Sequence, residues 1–353
     1  MQNKTRCFIV SSVLLLLALL ACTPASEKSA QDGLSIASGE PVKPGRQITF
    51  PQDHGIHPEQ GIEWWYLTAN LTAETGETFG VQWTLFRTLV PGQIESRWWD
   101  DNLYFAHFAI QHKQAHHAFE RFARSEQAGV VSSPFSAFID DWQLRSLSQD
   151  FLPLQLTAAE TDHAVSLTLA DSPVTFHGDK GYSQKTQSGH ASYYYSYPFL
   201  KASGKVTFAG QTFNVNGHAW YDREWSASLL DEDQVGWDWF SLVDSNQQHG
   251  LMLFCIRTQA GSYDNCSGTR IRENGQAETI SHQHINISVL ASLSLGDKVY
   301  PQKWQVVLAD YSPIIIEAIT RDSRNQLTVP YWEGRIKASG GFIGKGYGEI
   351  TGR

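Results

Sequence analysis

Short runs of β-branched and aromatic residues alternate with polar ones along almost the whole chain, and turn signals break them up. Alternation with a period of two marks strands with one buried face. Thr78–Arg87, Tyr104–Gln111, Val165–Leu169, Lys205–Phe208 and Trp304–Leu308 are short β-branched or aromatic runs that read as strands. Turn pairs punctuate the chain: Gly178-Asp179, Ala209-Gly210, Asn216-Gly217, Asn274-Gly275 and Gly296-Asp297. Helical spacing is weak, with short candidates only at His116–Arg124 and Ser226–Asp233. Many short strands at near-regular spacing predict an all-β protein with little helix, a sandwich or a barrel. At 353 residues the chain exceeds one domain of usual size. Two barrels of comparable size, joined near residues 220–235, account for the length, and no exact internal repeat is visible.

The N-terminus departs from this pattern. Lys4 and Arg6 precede an apolar run from Phe8 to Ala21, which has the length of an export signal rather than of a bilayer span. It closes on Leu19-Leu20-Ala21-Cys22, which resembles the lipobox at which bacterial lipoproteins are acylated on the cysteine and cleaved before it. Thr23 follows rather than an aspartate, which by resemblance to other lipoproteins favours the outer membrane. The expected organisation is a signal peptide at 1–21, a Ser-, Ala-, Gly-, Pro- and Lys-rich tether at 22–47, and a folded body from residue 48. The expected location is the periplasmic face of the outer membrane, held by a lipid on Cys22 alone.

Composition narrows the classes further. Hydrophobic residues make up 41% and charged residues 18%, enough apolar material for a core and incompatible with general disorder. The charge is −9, from 27 Lys+Arg against 36 Asp+Glu, and loss of Lys4 and Arg6 with the signal makes it −11. A nucleic-acid binder would show the opposite sign. Of the four cysteines, Cys7 leaves with the signal and Cys22 takes the lipid, so Cys255 and Cys266 remain in the fold. They flank the turn Thr258-Gln259-Ala260-Gly261 between the strand-like runs Leu251–Arg257 and Ser262–Ile271. A hairpin centred near residues 260 and 261 sets them opposite each other, and an oxidising periplasm predicts a disulfide.

Four segments hold the densest chemistry. In the first, Asp53-His54-Gly55-Ile56-His57-Pro58 leads to Glu63-Trp64-Trp65-Tyr66. On a strand, Glu63 and Trp65 share one face, and a carboxyl beside an indole is desolvated, as a general acid requires. A structural salt bridge at Glu63 is the plainer reading. The second segment, Gly189–Ser196, puts Ser192, Tyr194 and Ser196 on one face and Tyr193 and Tyr195 on the other, available for a ligand or for ordinary aromatic packing. In the third, Gly217–Trp225, a strand aims His218, Trp220, Asp222 and Glu224 to one side and Tyr221, Arg223 and Trp225 to the other. Two carboxyls and an imidazole on an aromatic face outline an acid/base site, and an ion network with Arg223 is the structural alternative. The fourth, Gly236–Phe240, sets Trp237 and Trp239 against Asp238, either to wall a pocket or to fill a core.

No nucleophile elbow, zincin motif or P-loop is present, so no cofactor is implied. His282 and His284 would share a strand face, and His112, His116 and His117 cluster in sequence. Neither set has an evident third ligand, and no metal is expected.

Together, His54-Gly55, His57-Pro58, Glu63–Tyr66, Phe79–Gln82, Gly181–Lys185, Ser192–Ser196, Gly217–Trp225 and Gly236–Phe240 resemble the lipocalin-like bacterial "predicted secreted hydrolases". That family is related to the AttH proteins and more distantly to the CrtC-type carotenoid hydratases. Tyr331–Gly334 and Gly344–Gly352 fit the same resemblance, which spans about residues 48–353. It implies two lipocalin-like β-barrels packed on each other, here 48–225 and 226–353. Two functions are compatible with it. In one, an enzyme of hydrolase or hydratase type acts on an apolar, isoprenoid- or lipid-like substrate. Asp222 or Glu224 gives the proton, His218 or Tyr221 orients water, Glu63 shares the cavity, and Trp65, Tyr194, Trp220, Trp237 and Trp239 bind the ligand. In the other, a lipid carrier or accessory lipoprotein of an envelope transport system, the same aromatic cavity binds a lipid without chemistry and the acidic cluster is structural.

Overall fold

The computed structural model describes residues 38–91, 99–228, 230 and 234–352. The signal 1–21, Cys22 and the start of the tether lie outside the described residues. The described chain is nearly all strand and forms two curled, barrel-like antiparallel sheets, one of 13 strands and one of 10. No α-helix occurs among the described residues. The chain passes from the first sheet to the second between Ser226 and Gln234.

Each sheet wraps its own core. Trp65, Trp83, Trp142 and Trp225 fill the interior of the first. Trp304, Trp332, Phe240 and Ile336 fill that of the second, where Cys255 and Cys266 are bonded across paired strands. Large buried side chains occupy both interiors. A third cluster, including Tyr66, Tyr194, Trp220, Trp239 and Tyr347, lies where the outer faces of the two sheets meet.

This contact explains where alternation fails. Along the strand Gln211–Ser226, buried and exposed residues alternate only at its start, and from Ala219 to Ser226 every residue is buried. One face looks into the first barrel and the other onto the second, so burial no longer selects a face. The neighbouring strands Ile62–Ala73 and Ala191–Phe208 follow the same logic.

Three local expectations need correction. His116–Arg124 is a strand, Ala115–Arg124, held by an unbroken antiparallel register with Asn102–His112. Only Ala123 in it is fully buried, so no clean alternation shows. Of Ser226–Asp233, Ser226 ends a strand, and Leu229 and residues 231–233 lie outside the described residues. Asn216-Gly217 is not a turn but the middle of Gln211–Ser226, where a Cβ on Gly217 would stand 2.1 Å from the Asn70 carbonyl oxygen. That glycine serves close strand approach, whereas Ala209-Gly210, with φ of 49° and 77°, does turn the chain.

Candidate functional site

Three adjacent strands of the first barrel lay out the site as a lattice. In their register, Glu224 sits between Trp64 and Tyr194, and Asp222 sits between Tyr66 and Ser196. All point away from the first barrel's core toward the second. From there the strand Gln234–Asp244 supplies Trp237 and Trp239, and Gly344–Ile350 supplies Glu349. They enclose a cavity of about 90 Å³ that is open to solvent on one side. Its wall is mostly aromatic, with Phe86, Phe105 and Phe254 beside the tryptophans, and the carboxyls of Asp222, Glu224 and Glu349 reach into it.

Burial sets the charge states. Asp222 is 2% exposed, and desolvation lifts its pKa to about 7. The nearby Glu224 adds to the rise, while hydrogen bonds from Ser196, Trp220 and Tyr194 oppose it. The Trp220 indole donates to Asp222 Oδ1 at 2.7 Å. Glu349 is also raised to about 7, by burial first and then by the charges of Asp222 and Glu224, against the hydrogen bond from Trp237 Nε1 at 2.6 Å. Glu224 is ion-paired with Lys185 at 2.7 Å and accepts the Ser192 hydroxyl.

Behind Glu349 lies a further carboxyl. Glu333 sits directly opposite it on the paired strand Tyr331–Gly340, and two carboxylates so placed repel. Burial and Glu349 drive Glu333 well above the usual carboxyl range. The Tyr66 hydroxyl donates to Glu333, linking the two barrels. The Tyr331 hydroxyl also contacts it and shares a 2.8 Å hydrogen bond with His107 Nδ1. Burial lowers His107 to about 3, which keeps it neutral. His177, stacked on Tyr194 and bonded to Ser196 at 2.6 Å, is neutral for the same reason. The site thus holds four carboxyls and one ammonium in an aromatic setting.

Of the residues singled out from sequence, Asp222, Glu224, Tyr194, Trp237 and Trp239 meet in this cavity. The others do not. Glu63 is fully buried on the opposite face, ion-paired with Arg87 at 3.0 Å and with Arg223. Burial pushes its carboxyl up, but Arg223, His57 and Arg87 prevail and hold it at about 2. It cannot serve as a proton donor to the cavity. Trp65 lies under the Arg223 guanidinium at 4.0 Å and belongs to the first barrel's core, as does Tyr221. Arg223 therefore pairs with Glu63 and not with Asp222 or Glu224. His218 and Trp220 line a separate cavity between the barrels, and Trp220 meets the site through its bond to Asp222 and the buried cluster it shares with Tyr66, Tyr194 and Trp239. His282–His284 forms an exposed 3-10 turn rather than a strand face. His116 bonds Asn325 at 2.7 Å while His112 stacks on Phe79, so the histidines in that run have separate partners. Among the described residues no group of three or more His, Cys, Asp or Glu side chains is arranged to hold a metal ion.

Sequence reasoning missed Tyr66, Lys185, Glu333 and Glu349. Glu63–Tyr66 was read from its acidic face, although period two placed Trp64 and Tyr66 together on the face that matters. Glu333 and Glu349 lie in motifs that only the family resemblance had marked.

None of the curated proteins matches the chain. Among solved structures, a candidate AttH protein from Nitrosomonas europaea is 29% identical with a TM-score of 0.80, covering 89% of this chain and 99% of its own. Kievitone hydratase from Nectria haematococca shares the fold at 15% identity and a TM-score of 0.68, over 90% and 98% of the two chains. CghA, solved with Sch210972, shares it at 10% and 0.55, over 90% and 96%. The AttH-like family model matches residues 41–353, and with that span, the two packed barrels and the motifs at their contact, the chain belongs to the AttH-like family.

Proposed function

We propose that this protein is an acid–base enzyme of hydratase or hydrolase type that adds water to an apolar, isoprenoid- or lipid-like substrate in the cavity between the barrels. One observation carries the reading: Asp222 and Glu349 face the same aromatic cavity with pKa values of about 7. Near neutral pH carboxyls with such pKa values are each partly protonated, so one can serve as acid while the other serves as base. The protonated carboxyl gives its proton to a double-bond carbon or a leaving oxygen. The ionised one takes a proton from water as its oxygen bonds to the electron-poor carbon, so the pair ends with its proton exchanged. Trp64, Trp237 and Trp239 present ring faces to a developing cation. Glu224, neutralised by Lys185, contributes field rather than a proton. A hydratase among the fold neighbours is consistent with this reaction class. The chain is further proposed to be a periplasm-facing lipoprotein, on the Leu19–Cys22 motif alone.

Incubation with an envelope lipid extract in 18O-water tests both reaction types, since each places solvent oxygen in the product. Mass spectrometry should find labelled product with the wild type, reduced about 10²–10⁴-fold with Asp222→Asn or Glu349→Gln. Lipid that binds and is released unlabelled would instead make the protein a carrier.

A further inference from the structure

The second cavity between the barrels, about 690 Å³, shares no lining residue with the first. Its wall is of a different kind, rich in hydroxyls and amides such as Thr68, Asn70, Ser203, Asn216 and Ser241. Its size is that of a small-molecule site. Four arginines are almost fully buried, and three have a carboxylate: Arg87 and Arg223 have Glu63, and Arg257 has Asp238. The fourth, Arg335, lines this cavity at 2% exposure and meets no carboxylate among the described residues. Its Nη1 donates to Thr78 Oγ1 at 3.1 Å, while Nε and Nη2 find no partner among the described residues. Thr68 Oγ1, His218 Nδ1 and Gln247 Oε1, on the same wall, are likewise unpartnered. Lys345 stands exposed at the rim. A buried guanidinium without a counter-ion is costly, and an anion presenting two oxygens to its Nε–Nη2 edge would satisfy both free donors at once.

We propose that this cavity is a binding site for a hydroxylated small-molecule anion, whose phosphate or carboxylate forks onto Nε and Nη2 of Arg335 while its hydroxyls bond the polar wall. The site is independent of the acid–base reading and stands if that reading fails. Trp220 connects the two places, with its ring on this cavity and its indole N–H on Asp222.

Calorimetric titration of the full-length chain with glucose 6-phosphate, inorganic phosphate and glucose tests it. Both anions should bind and glucose should not. Arg335→Met should weaken the anions at least about 30-fold, as for removal of one partner of a buried charged hydrogen bond, without lowering the melting temperature. Phosphatidylglycerol vesicles separate the sources: sedimentation with wild type but not Arg335→Met, without affinity for the soluble anions, assigns the phosphate to a lipid headgroup. No response to the anion in either form overturns the proposal, as does a folded Arg335→Met with unchanged affinity. If that variant does not fold, Lys345→Glu decides: a several-fold loss of phosphate affinity supports the site, and unchanged affinity overturns it.

Discussion

Two carboxyls of this protein, Glu63 and Asp222, are almost equally buried and differ in protonation because of what stands beside them. At Glu63 two guanidinium groups outweigh burial and hold it at about 2; at Asp222 burial prevails, with Glu224 adding to it, and lifts it to about 7. Glu63→Gln leaves Arg87 and Arg223 buried without their counter-ion, and should cost about 3–5 kcal/mol in chemical denaturation. Because its folded pKa is depressed, the stability from Glu63 is present above its unfolded value of 4.5 and is lost as pH falls toward 2. Asp222 has the opposite sign. Its contribution is present below 3.8 and is lost as pH rises through about 7. Asp222→Asn should therefore melt at a higher temperature than wild type at pH 8, with the difference shrinking toward pH 4. A variant less stable at pH 8 than wild type would show that the hydrogen bonds from Ser196 and Trp220 outweigh the charge. The rate of the proposed reaction should fall above pH 7 as the acid is lost, and also below it as the base is protonated.

At the scale of the element, the site is a matter of strand phase. Alternation correctly grouped His218, Trp220, Asp222 and Glu224 on one side of a strand, yet that strand is long enough for His218 and Glu224 to open onto different cavities. Shared face does not mean shared site. Gly217 shows how closely these strands approach: Gly217→Ala should destabilise the protein by about 1–3 kcal/mol, measured by urea denaturation, because the new Cβ meets the Asn70 backbone. The hairpin holding Cys255 and Cys266 was legible from residue numbers, since the turn between them fixes which positions face each other. The strand Ala115–Arg124 was not, because its pairing partner decides its conformation and its own burial pattern is nearly featureless.

At the scale of the molecule, the candidate site is made by two outer faces rather than by either interior. Export and anchoring also belong here. Cys22→Ser should release the protein from the membrane fraction and abolish acyl labelling, and a variant that still sediments fully with membranes would end the lipoprotein reading. The sequence by itself determined the all-β class and the grouping of side chains on each strand, because period two and turn chemistry are local properties, while the expectation of two barrels came from chain length and the family resemblance. It also marked Asp222, Glu224, Tyr194, Trp237 and Trp239, whose chemistry is dense within short segments. Only the tertiary structure decided which face of each strand meets the other barrel. A strand buried on both sides has no amphipathic signal to choose between them, and so Glu63 and Trp65 could not be told from Trp64 and Tyr66. The approach of Glu349 to Asp222, more than a hundred residues away in sequence, was decided there too, and with it the charge state of the site, since a carboxyl's pKa is set by neighbours that only folding brings near.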